Sequence, residues 1–414
     1  MKENVDLLIY NIKELITPYN SNLKRGEELK ELKIINNGGI AIKNGKILCV
    51  SDTEEVLDRF EGEKVLDLKN ENILLPGFVD PHTHILFGGS REDEFLARIN
   101  GESYLSIQKK GGGIYKTQKD TISLNEDELV KITKERILTA NSYGILTLEI
   151  KSGYGLFLQE EIKLLKTIKK IKEESKIKTV STFLLHLIPK EFDRKVFLSE
   201  VLEIMPKIYK EDLFDFIDIF IEEGAFSVEE ATQILEVTKN LGASVSLHID
   251  QFNNLKASKL AKKYKIKSLS HLDLTEESEL EELSKGDTVG IIFPLERFIF
   301  KRDERRGRKL IDLGIPLSIS TDFNPGTSPS LNFPLILSLS IIREGLTVEE
   351  AINSSTINGA YALNLQNEVG SIEVGKRADF VVFSLKSFKE IPYYVGMNFI
   401  KYVIINGEVI NIDR

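Results

Sequence analysis

All five histidines of this 414-residue chain stand at or just beyond the ends of short apolar runs. His82 and His84 follow Gly77-Phe-Val-Asp-Pro, His186 follows Thr179 to Leu185, and His248 and His271 close Ser244 to Ile249 and Lys267 to Leu272. A lone histidine is usually a packed or surface group. The same placement five times over points to chemistry, because imidazole binds metals and moves protons near neutral pH. In the extended stretch His82-Thr83-His84, alternate side chains share one side, which pairs two imidazoles. His248 offers a third nitrogen and Asp322 an oxygen. A single Zn²⁺ is the preferred occupant, with a place left for water, although Fe²⁺/Fe³⁺ and manganese accept the same ligands. A metal held this way acidifies water into a nucleophile for hydrolysis. A second metal would need a bridging group such as a carboxylated lysine at the end of the fourth run. That position reads Phe220-Ile221-Glu222-Glu223. Lys151 is expected to pair with Glu149 or Glu222 instead.

These groups need a frame to bring them together. Eight strand candidates alternate with amphipathic segments: Gly77 to His82, Ile145 to Ile150, Thr179 to Leu185, Phe216 to Ile221, Ser244 to Ile249, Lys267 to Leu272, Thr288 to Phe293 and Pro316 to Thr321. Repeated βα units predict a (β/α)8 TIM-like barrel, whose active site lies at the carboxyl ends of its strands. Helix starts are marked by Asn125 with Glu128, Ser227 with Glu230, and Thr347 with Glu350, each a capping side chain three residues before a carboxylate. From Glu160 the apolar residues Ile162, Leu165, Ile168 and Ile171 trace one helical face. Both chain ends are β-rich and carry hairpin signals, Asn44-Gly45 and Asn406-Gly407. They predict a small β-sandwich domain built from residues 1–75 and 366–414, bracketing a barrel over 76–365.

Composition excludes other classes. With 42% hydrophobic and 29% charged residues the chain is neither disordered nor low-complexity. A net charge of −9 argues against a nucleic-acid partner. The basic run Lys301 to Lys309 carries interleaved acids and reads as a solvated loop or helix start. No stretch reaches the roughly 20 apolar residues of a membrane span. One cysteine, Cys49, and a start without a signal-peptide core lead us to expect a cytoplasmic protein.

The stretch Leu75-Pro-Gly-Phe-Val-Asp-Pro-His-Thr-His84 resembles the metal-binding opening of the amidohydrolase superfamily. A narrower resemblance is carried by Gly89-Ser-Arg-Glu-Asp-Glu-Phe95, Gly111-Gly-Gly-Ile114, Glu149-Ile-Lys-Ser-Gly-Tyr-Gly-Leu156, His248-Ile-Asp-Gln251 and Thr321-Asp-Phe-Asn-Pro-Gly-Thr-Ser-Pro329. These runs are similar to the members that open the ring of 4-imidazolone-5-propanoate with water, giving N-formimidoyl-L-glutamate in histidine degradation. The resemblance covers essentially the whole chain and implies a homodimer. It assigns Arg91 to the substrate carboxylate, a role that suits a planar guanidinium. Tyr154 and His186 match further substrate contacts, with Tyr104 a weaker candidate. His82, His84, His248 and Asp322 would hold the metal. Asp322 would also move the proton, and His271 would polarise the attacked carbonyl. Asn324, Gly326 and Thr327 would hold product in a Pro-Gly turn. Gln251 stands where some members carry Glu, so a hydrogen-bonding role toward the imidazolone ring replaces a base. Ser270 stands where the superfamily members often carry Asp behind His271.

Two rival readings are separable. A nucleobase deaminase would share the histidines and Asp322 but would have no need of Arg91. A non-catalytic scaffold on the same barrel would be expected to have lost ligands, and none is missing.

Overall fold

The computed structural model describes residues 1–102, 106 and 111–412; Tyr104 lies outside the described residues. The two chain ends build one branched eight-stranded sheet from β1 (Glu3–Pro18), β2 (Leu32–Lys43), β3 (Lys46–Asp52), β4 (Phe60–Asp67) and β5 (Ile73–Pro76), joined by β14 (Phe380–Phe383), β15 (Ile400–Ile405) and β16 (Glu408–Asn411). The ends meet at β5, which runs parallel to β1 and antiparallel to β14. Alternation along β1 sends Leu7 and Ile9 into one apolar cluster and Leu8, between them, into another, so this sheet is packed on both faces. Both hairpin turns form as expected. Asn44, Gly45, Asn406 and Gly407 all have positive φ, the backbone that two-residue hairpin loops require. A Cβ on Gly45 would lie inside the Asn406 side chain, so the hairpins also pack on each other.

All eight expected barrel strands are present: β6 (Phe78–Asp80), β7 (Ile145–Lys151), β8 (Lys178–Leu185), β9 (Phe216–Ile221), β10 (Ser244–Ile249), β11 (Ser268–His271), β12 (Val289–Ile292) and β13 (Leu317–Ile319). They pair in sequence order, every pair parallel. Across the remaining gap the buried Asp80 carboxylate accepts from Ser320 Oγ, Thr321 N (3.1 Å) and Thr321 Oγ1 (2.6 Å), tying β6 to the end of β13. The three expected capping boxes open the helices Glu126–Ser142, Val228–Leu241 and Val348–Ser354. In the helix Leu158–Glu174 the apolar stripe is buried through Leu165, Ile168 and Ile171, while Ile162 is only half-buried.

The segment Lys301 to Lys309 splits into loop and helix start, as expected, but two of its arginines turn inward. Arg302 donates to the Gln251 carbonyl (2.8 Å) and buried Arg306 to that of Asp273. Nearby, Arg297 on the short helix Pro294–Ile299 pairs with Asp273 and, at 2.9 Å, with Glu344, and all three are buried. Removing one partner of a buried ion network leaves the others uncompensated, at a cost of about 3–5 kcal/mol. R297M is therefore expected to lose about that much stability in urea denaturation; a loss below about 1 kcal/mol would show that the network holds nothing in place.

Candidate active site

The barrel strands end at one small cavity of about 90 Å³. His84, His248 and Asp322 line it, as do Arg91, Tyr154, His186, Gln251, His271, Asn324 and Thr327. By the measure of roughly 10–15 Å³ per water it takes several water-sized groups. His82 lies just behind this lining, its ring 4.4 Å from that of His248.

Candidate ligand nitrogens of His82, His84 and His248 all lie within 4.8 Å of one another. Asp322 Oδ1 is 3.7 Å from His82 Nε2 and 3.5 Å from His84 Nε2. Ligand atoms about 2.1 Å from a tetrahedral zinc stand roughly 3.4 Å apart, so this spacing suits a first-row cation. The second nitrogens explain the aim of the rings. His82 Nδ1 is held by Ser270 Oγ at 2.8 Å and His248 Nδ1 by Asp218 Oδ1 at 2.9 Å. The Nε2 atoms of both rings are buried without a hydrogen-bond partner. Burial, helped by neighbouring positive groups, holds His82 and His84 well below the usual imidazole range. They stay neutral, the form that ligates. The donor set fits a divalent metal.

Asp218 belongs to a buried chain. Its Oδ2 accepts from Lys151 Nζ at 2.7 Å, and Lys151 also donates to Glu149 Oε1 at 2.6 Å. Burial alone would raise the Asp218 carboxyl, but His248 and Lys151 hold it well below the ordinary value. Lys151 thus pairs with Glu149 as expected but with Asp218 rather than Glu222. Glu222 instead accepts from the backbone N–H groups of Phe252 (2.9 Å) and Asn253 (3.2 Å). Ser270, which stands where an Asp behind His271 is common, serves His82.

Arg91 is buried at the start of the helix Glu92–Ile99. Glu94 Oε2 accepts from its Nε and lies beside Nη2, both at 2.8 Å, while Glu94 Oε1 accepts from Gly113 N at 2.9 Å. The guanidinium packs on Gly326, where a Cβ would come within 2.4 Å of Arg91 Nη1. The Asn324 amide builds that turn: its oxygen accepts from Gly326 N (2.8 Å) and Thr327 N (2.7 Å). Its nitrogen donates to the Asp322 carbonyl at 2.6 Å. Tyr154 is carried by a loop whose Gly153, Gly155 and Leu156 N–H groups all bond Glu161 at 2.7 Å. His271 and Asp322 both have positive φ, 74° and 48°. Such backbone is costly for residues other than glycine and clusters at functional sites.

Four residues escaped sequence reasoning: Asp218, Glu161, Glu94 and Glu296. Asp218 carried a signal, as the one charged residue inside Phe216-Ile-Asp-Ile-Phe-Ile221. The three glutamates sit on helices, where a carboxylate is ordinary.

Residues 73–410 match the model of the amidohydrolase family, and the chain belongs to that family. Solved structures with this fold include an adenosine deaminase from Xanthomonas campestris with bound zinc, at TM-score 0.72, 15% identity and coverage of 99% of this chain and 93% of that one. A triazine hydrolase variant gives TM-score 0.76 at 14% identity, covering 97% of this chain and 94% of that one. Curated relatives are much nearer. The imidazolonepropionase of Caldanaerobacter subterraneus is 38% identical over 96% of both chains. That of Parabacteroides distasonis is 37% identical over 98% of this chain and 99% of its own. Within the family, the chain stands among the imidazolonepropionases.

Proposed function

We propose that this protein hydrolyses 4-imidazolone-5-propanoate to N-formimidoyl-L-glutamate with one metal ion, Zn²⁺ or Fe²⁺/Fe³⁺. The observation that carries the reading is a buried, carboxylate-anchored Arg91 lining the same cavity as His84, His248 and Asp322. A metal site alone suits many hydrolases, whereas a guanidinium fork beside it selects an anionic substrate. That favours the imidazolone over a nucleobase. His82, His84, His248 and Asp322 would hold the ion. When bound, such an ion acts as a Lewis acid that acidifies water and polarises a carbonyl.

The chain's own groups do the rest. Arg91 binds the propanoate, with Tyr154 and His186 lining the same cavity. Asp322 takes a proton from the attacking water, whose oxygen bonds to the ring carbonyl carbon. His271 donates to the carbonyl oxygen as negative charge develops there. The ring C–N bond then breaks, and Asp322 returns the proton to the departing nitrogen. Asn324, Gly326 and Thr327 shape the turn against which product rests. We place the domain divisions at 75/76 and 365/366, and expect a cytoplasmic homodimer. Among the described residues no helix is long and apolar enough to cross a membrane.

The test supplies freshly generated 4-imidazolone-5-propanoate to the purified protein and follows N-formimidoyl-L-glutamate alongside metal content. Absence of product at full zinc or iron occupancy would refute the assignment. A second expectation concerns the partner of His248. D218N keeps the shape but loses the anion that sets the ring's tautomer, and loss of such a partner weakens metal affinity about 10–100-fold. Competition with a chelator measures this directly, and unchanged affinity would remove Asp218 from the metal site.

A further inference from the structure

Glu296 lies in the short helix Pro294–Ile299, which follows β12, and its side chain is wholly buried. Gln251 Nε2 donates to its Oε1 at 2.9 Å, while its Oε2 is buried without a hydrogen-bond partner. The neighbouring Arg297 locks this helix to Asp273 and Glu344. Arg302 holds the main chain at Gln251 through its carbonyl. Both members of the Gln251 and Glu296 pair are therefore fixed in place.

An amide is two-faced, with a donor end and an acceptor end that differ little in shape. Gln251 lines the cavity, and its nitrogen is committed to Glu296. One of its two N–H groups is thereby used, and its carbonyl oxygen is the acceptor left for a ligand. A cyclic amide ring presents an N–H, which needs an acceptor; a cavity-facing NH₂ would oppose donor to donor. Building on the ring-opening reaction above, we propose that Glu296 is a positioning residue for it, holding Gln251 so that the amide oxygen accepts a ring N–H of the substrate. Burial, which raises the Glu296 carboxyl, is compatible with this role, since a carboxyl oxygen accepts in either protonation state. Residue 251 then serves as a carboxylate-like acceptor without a second negative charge beside Asp322.

Three variants test this, each with its melting temperature, steady-state kinetics on 4-imidazolone-5-propanoate and a crystal structure. E296A frees the amide and is expected to raise KM about tenfold with kcat changed less than about threefold. E296Q keeps an acceptor for the Gln251 nitrogen and should stay within about threefold of wild type. The exchange Q251E/E296Q reverses the pair, keeps its hydrogen bond and leaves an oxygen facing the cavity, so its KM should fall below that of E296A, a rescue that a merely structural role of Glu296 would not give. An E296A enzyme with wild-type KM overturns the proposal, and so does an exchange variant raised in KM tenfold or more. Should E296A not fold, E296Q and the exchange decide by the same limits. Inactivity of the wild type refutes the ring-opening assignment instead. In that case the E296A crystal is decisive: the Gln251 amide is expected to leave its place, and an unmoved amide overturns the positioning role.

Discussion

Asp322→Asn is expected to lower kcat about 10⁴-fold in a protein that folds like the wild type. An amide matches the carboxylate in shape but has no basic lone pair, and a placed general base supplies about 10²–10⁴-fold in rate. The substitution also removes the carboxylate oxygen that lies 3.7 and 3.5 Å from His82 Nε2 and His84 Nε2, which puts the effect at the upper end. The local turn should survive, because Asn324 also bonds the backbone carbonyl of residue 322, which the substitution leaves in place. Kinetics, melting temperature and metal content should be measured on the same preparation. A kcat within tenfold of wild type at full metal occupancy would take proton transfer away from Asp322.

Arg91→Ala is expected to raise KM about 10²–10³-fold with a much smaller effect on kcat. Losing a charge-assisted, two-point contact to a carboxylate costs about 3–4 kcal/mol, which converts to that range. R91K should recover little, because the ammonium keeps the charge but not the fork. A companion substitution, G326A, reaches the same group without touching its charge. The new Cβ would fall 2.4 Å from Arg91 Nη1, so the guanidinium must shift and KM should rise in the same direction. An unchanged KM in R91A would return the deaminase reading to contention, since a nucleobase carries no carboxylate.

Much of this molecule was legible before any coordinates. Strand runs, Asn-Gly turns and capping boxes are local signals, and each appeared where expected, as at Asn125 with Glu128 and at Asn406-Gly407. The histidines were found because strand ends are readable and barrel sites gather there. Second partners were not. Ser270 drew notice only as the residue that replaces an Asp behind its chain neighbour His271, yet it bonds His82, 188 residues away. Lys151 found Asp218, 67 residues on, in preference to Glu222.

The sequence by itself determined the eight βα units, the two β-rich ends and the candidate ligands, because hydrophobic alternation and turn chemistry act over a few residues. Only the tertiary structure decided which nitrogen of each ring faces inward, why Gly326 must lack a side chain, and that Glu296 holds Gln251. Those outcomes depend on barrel closure, which sets the distance and rotation between strands far apart in the chain.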